Sequence, residues 1–156
     1  MNNNRIIFLI LPLFFTMTAK AQYGNGDDLR NKIDAQRVAF YTQQMNITPA
    51  EAQQFWPVYN EYLEKKNRLG AEKRRITNFY KQNSGTMTDN DIDITINKYV
   101  LELKAETQLF EEYNKRFRQI LPAKKVMKLY VAEIEFKKWL LGKIRERSNK
   151  FPEDMP

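Results

Sequence analysis

Between residues 29 and 147 the apolar residues recur in steps of four and three, with only two clear breaks, at Pro49 and Pro122, and a short polar turn between them. That spacing is the period of an α-helix packed along one face, and no alternation bounded by turn residues argues for strands. The whole chain has only five Gly and six Pro, several of them near its ends. The pattern predicts an all-α fold of four helices.

Helix boundaries follow from local chemistry. The first helix is expected from Leu29 to about Met45, with Leu29, Ile33, Phe40 and Tyr41 as apolar contacts. Thr48-Pro49-Ala50-Glu51 is a capping box with Pro at the first helical position, a strong helix start. The second helix then runs to about Lys81 along the stripe Phe55, Tyr59, Tyr62, Lys66, Leu69, Lys73, Ile76 and Tyr80, with a bend expected at Pro57 and a soft point at Gly70. Residues 82–87 read as a turn, and Thr88 with Asp91 begins the third helix. Its stripe is Ile92, Ile96, Tyr99, Leu103, Glu106, Phe110, Tyr113, Phe117 and Ile120. Helices two and three should form a long antiparallel hairpin with coiled-coil-like packing. The fourth helix is expected from Pro122 to Arg147, with Val126, Tyr130, Ile134, Leu140, Leu141 and Ile144 on its apolar side.

The N-terminus carries an address. Arg5 precedes a ten-residue apolar run, Ile6 to Phe15, and Ala19-Lys20-Ala21 offers the small-x-small site of a signal peptidase. Ten apolar residues are too few to span a hydrocarbon core of ~30 Å. Residues 1–21 therefore read as a cleaved signal peptide, 22–28 as a flexible leader, 29–147 as one helical domain and 148–156 as a disordered tail. The expected location is the periplasm, with no membrane span left after cleavage.

Composition narrows the chemistry. The chain has no His and no Cys. Zinc, copper and haem sites and His-dependent nucleophilic arrangements lose their usual ligands and bases. Glu102, Glu106, Glu111 and Glu112 lack the histidines of a paired-metal bundle site, and they read as surface charge. Four acid-base pairs at i, i+4 support the helices: Glu61–Lys65, Glu64–Arg68, Glu111–Lys115 and Glu112–Arg116. No enzyme activity, metal or cofactor is expected.

Lys and Arg number 26 against 19 Asp and Glu, a net charge of +7. The excess fits an ordinary solvated surface, a surface for acidic or unfolded clients, or contact with anionic lipid. Nucleic acid is set aside because export separates the protein from it. Rings are abundant on helix two (Phe55, Trp56, Tyr59, Tyr62) and helix three (Phe110, Tyr113, Phe117). They suit core packing, yet a slim hairpin has little interior and should leave some of them on an exposed face or a subunit interface. Cations interleave with them, and the residues expected to touch clients are Tyr62, Lys66, Arg68, Leu69, Lys73, Arg74, Ile76, Lys115, Arg118 and Lys128.

These features together resemble the Spy/CpxP family of periplasmic chaperones and stress-sensor accessory proteins, the LTxxQ-motif family. The first motif copy looks like Ile47-Thr48-Pro49-Ala50-Glu51, with Ile for Leu and Glu for Gln. The second corresponds to Leu121-Pro122-Ala123-Lys124-Lys125, which lacks both Thr and Gln. Phe55-Trp56-Pro57-Val58-Tyr59 is similar to a Bacteroidetes-type variant of the family. The resemblance implies a curved hairpin that forms a homodimeric cradle and holds unfolded or misfolded envelope proteins during stress without ATP. The alternative, of a different functional class, is a regulatory partner that binds an envelope stress sensor or anti-sigma system. Metal sensing, linked in some relatives to His or Cys, has no ligands here.

Overall fold

Four helices follow one another: α1 (Asn25–Met45), α2 (Pro49–Asn83), α3 (Asp89–Ile120) and α4 (Ala123–Lys150). The computed structural model describes residues 25–150, with side chains from 28 to 146. The signal peptide read in residues 1–21 lies outside the described residues, as do 22–24 of the leader and 151–156 of the tail. α1 begins at Asn25, so residues 25–28 of the expected leader are helical, and α4 reaches Lys150, three residues into the expected tail. Acidic Asp28 suits the positive end of a helix dipole, which extends α1 beyond its apolar periodicity.

Both expected caps form. The Thr48 hydroxyl accepts from the Glu51 N–H at 3.3 Å while the Thr48 N–H donates to the Glu51 carboxylate at 2.7 Å. Thr88 and Asp91 repeat the arrangement at 3.2 and 3.0 Å. α1 ends at Asn46, whose φ of 50° places it in the left-handed region that Asn tolerates better than most residues. α2 continues unbroken through Pro57. The carbonyl of Gln53 loses its donor there, and both residues are exposed to solvent.

α2 pairs with α3 along the hairpin, α1 pairs with α4, and α3 meets α4 more briefly. The core lies where these pairs join. Tyr41, Met45 and Ile47 meet Phe55, Tyr59 and Tyr62 of α2, Tyr113 and Phe117 of α3, and Leu121, Val126, Leu129 and Phe136 beyond. Ile47 and Leu121, which precede the starts of α2 and α4, are thus core anchors at one end of the bundle. The far half of the hairpin extends past this core, and Ile76 is its one buried apolar side chain.

The α2 seam follows the expected stripe, except that Tyr80 at its distal end is exposed. The α3 seam differs. Leu109, Tyr113 and Phe117 are buried, whereas Ile96, Tyr99, Leu103 and Phe110 are exposed. α3 serves two neighbours: Tyr113 and Phe117 face α2, while Phe110 and Asn114 face α4 through Tyr130. Toward the tip, Leu103 and Ile96 continue the flank of Phe110 where α4 no longer covers it.

The Tyr59 hydroxyl donates to Glu133 at 2.9 Å, and burial followed by that carboxylate pushes the phenol well above its usual range. The Tyr113 hydroxyl is buried without a hydrogen-bond partner. An unpaired buried polar group costs free energy, whereas losing a bond to a charged partner costs about 1.5–3 kcal/mol. Urea unfolding should therefore separate two chemically identical changes. Tyr59→Phe lowers stability by about 2 kcal/mol, and Tyr113→Phe leaves it unchanged or raises it by up to about 1 kcal/mol.

Candidate functional site

An open trough of about 1010 Å³ lies between α1 and α2. The two helices touch through Tyr41, Trp56 and Tyr59 near the core and leave a gap along the rest of their length. Its apolar lining comes from Leu29, Ile33, Val38, Trp56, Leu63 and Ala71. Four arginines border it: Arg30 and Arg37 on α1, Arg68 and Arg74 on α2. A shallower depression containing Ala71, Arg74, Arg75 and Phe79 carries the same mixture toward the hairpin tip.

Arg37 is paired with Asp34 at 2.7 Å and Arg68 with Glu64 at 3.0 Å. Arg30 and Arg74 have no ion pair among the described residues, so their charge is available to a partner. The trough thus combines rings and aliphatic groups with net positive charge, in contact with solvent.

Other cations are already engaged. Lys73 bonds Glu106 across the hairpin, and Lys66 lies 5.2 Å over the Tyr62 ring and 3.9 Å from Glu133. Lys125 donates to Glu51 at 2.6 Å, tying the first turn of α4 to the capping box of α2. That ammonium, helped by the Thr48 N–H, holds the Glu51 carboxyl below its usual range. Arg116 pairs with Glu61 at 2.8 Å and stacks 4.5 Å over Tyr113.

Arg116 was expected beside Glu112, but Glu61 across the helix interface receives it instead. Glu61–Lys65 and Glu64–Arg68 form along α2 as spaced. The Arg116 guanidinium, with the Lys65 ammonium beside it, holds the Glu61 carboxyl down to about 2. A depressed carboxylate contributes stability above its unfolded value, and that contribution fades as pH falls from about 4.5 toward about 2. An NMR titration of the Glu61 carboxyl should find its midpoint near the lower figure, and Arg116→Gln should move it upward.

The ten expected client contacts do not form one surface. Tyr62 is a core residue, its ring 5.3 Å from that of Tyr113, and Ile76 is buried in the hairpin seam. Both are corrected: facing a partner helix, they have no surface to offer. Lys66 and Lys73 serve the ion pairs described above, and Leu69 is half-buried beside α3. Arg68 and Arg74 line the trough. Lys115, Arg118 and Lys128 are exposed on α3 and α4, away from it.

The named rings divide in the same way. Phe55, Tyr59, Tyr62, Tyr113 and Phe117 are sequestered, Trp56 is half-buried at the trough, and Phe110 is 40 % exposed. The surface instead gains Phe79, Tyr80, Tyr99 and Val100 near the hairpin tip. Arg30, Ile33, Arg37 and Leu63 were not expected to act together. Their signal was Arg30 and Arg37 seven residues apart on α1, but only the gap between α1 and α2 makes it a site.

No protein-family profile matches this chain, and no curated protein or solved structure matches it either.

Proposed function

We propose that this protein is an exported, ATP-independent binding protein that holds partly unfolded envelope proteins during stress. The observation that carries the reading is the trough between α1 and α2, where Arg30 and Arg74, with no ion pair among the described residues, stand beside Leu29, Ile33 and Leu63. An unfolded chain offers acidic and apolar groups together. Charge draws it in from a distance and apolar contact retains it. The exposed Phe79, Ile96, Val100 and Leu103 extend the apolar area along the hairpin.

Export rests on the N-terminal apolar run with its small-x-small site, and the Spy/CpxP resemblance adds the expectation of a homodimeric cradle. A second copy would place two troughs and two hairpin tips around one client.

The deciding measurement is light scattering of a chemically denatured client diluted into buffer with and without this protein. Aggregation should be suppressed, more strongly at low than at moderate salt. No suppression at either salt would remove the reading. A pull-down from envelope extract separates the alternative: many heterogeneous clients fit a chaperone, and one stoichiometric, tightly held partner fits a stress-sensor regulator.

A further inference from the structure

The outer side of α4 carries an apolar seam that no other helix among the described residues covers, with only Gln44 of α1 beside its first turn. Met127, Val131, Ile134 and Leu141 recur at steps of four, three and seven, and between 43 and 61 % of each is exposed. At 1.5 Å per residue this seam is about 21 Å long. The inward side of the same helix is occupied by the core through Val126, Leu129, Ala132 and Phe136.

Cations surround the seam. Lys124 and Lys128 flank its first turn, Lys137 flanks its middle, Lys138 stands on the seam itself between Ile134 and Leu141, and Arg145 lies at its end. All five are exposed, and none has an ion-pair partner among the described residues. The acids nearby are few: Glu135 is exposed, and Glu146 is already held by Lys143 at 2.9 Å.

Charge decides what can cover this face. A second copy laid on it would set five unpaired cations against five more, which is repulsive. The partner must be anionic and must also accept an apolar ridge. From this the geometry points to the surface of a bilayer containing anionic phospholipid. The α4 seam sits at the acyl boundary, and the lysine stems reach up to the phosphate layer. No helix among the described residues is long and apolar enough to cross a membrane, so the contact is with the surface. None of these residues lines the trough, so the inference stands apart from the client-binding reading.

The test is co-sedimentation of the protein with vesicles of phosphatidylcholine alone or mixed with phosphatidylglycerol. Binding is expected to the mixed vesicles and to fall with salt. Each surface cation contributes about fivefold in affinity, so Lys137→Gln with Lys138→Gln should weaken binding about 25-fold. Ile134→Ser with Leu141→Ser should abolish the part of the binding that survives high salt. All four positions are exposed or part-exposed, and unchanged circular dichroism would confirm that the variants fold. No binding to phosphatidylglycerol vesicles at low salt would overturn the proposal, as would binding that neither pair of substitutions alters. A dimer that Ile134→Glu dissociates, with no vesicle binding, would instead assign the face to a second copy and also overturn it.

Discussion

Phe117→Ala should lower the unfolding free energy by about 3–5 kcal/mol, the range for a large ring removed from a filled core. Phe117 is 1 % exposed and lies within 6.1 Å, centroid to centroid, of the rings of Phe55, Tyr59, Tyr62 and Tyr113. Those four rings come from both helices of the hairpin, so the cavity opens where α2 and α3 are held together. Domains of this size are stable by roughly 5–15 kcal/mol, and a loss on that scale puts much of the population near unfolding. Phe79→Ala removes the same atoms from a site that is 52 % exposed and should change stability by less than about 0.5 kcal/mol. Urea midpoints of the two variants measure the contrast. Equal shifts would mean that the hairpin tip carries as much of the fold as its base.

That contrast locates what the sequence made legible. Thr48–Glu51 and Thr88–Asp91 act within four residues, so a capping box can be read locally and both formed as expected. The α2 stripe was legible because one partner, α3, lies along it. The α3 stripe was harder. Leu109 and Phe110 are adjacent and both apolar, and only the position of α4 decides that Leu109 turns toward the hairpin seam while Phe110 meets Tyr130. The candidate site was the least legible part, because Tyr62 and Leu63 are also neighbours in the chain. One is core and the other lines the trough, and their spacing alone carries no record of where α1 leaves α2. Charge spacing failed at Arg116 for the same reason: Glu112 is four residues away, but Glu61 on the facing helix is better placed.

If the trough holds clients as proposed, reversing two of its arginines, Arg30→Glu with Arg74→Glu, should slow capture of a denatured client about tenfold at low salt, the lower end of electrostatic steering effects. Fold stability supplies little of that change, since neither side chain has an ion pair among the described residues to lose. The difference between variant and native protein should shrink as salt rises, because the screening length falls from ~10 Å at 0.1 M to ~3 Å at 1 M. Leu29→Ser acts on the other half of the mechanism. Leu29 is 43 % exposed at the open end of the trough, and its removal should leave the capture rate alone while speeding release. Stopped-flow association and dissociation of a fluorescent denatured client read the two rates separately. Steering belongs to the encounter and apolar contact to the bound state, so the two substitutions must move different rates if the trough is where clients are held. A double arginine reversal that captures clients at the native rate in low salt would place the binding surface elsewhere on the hairpin.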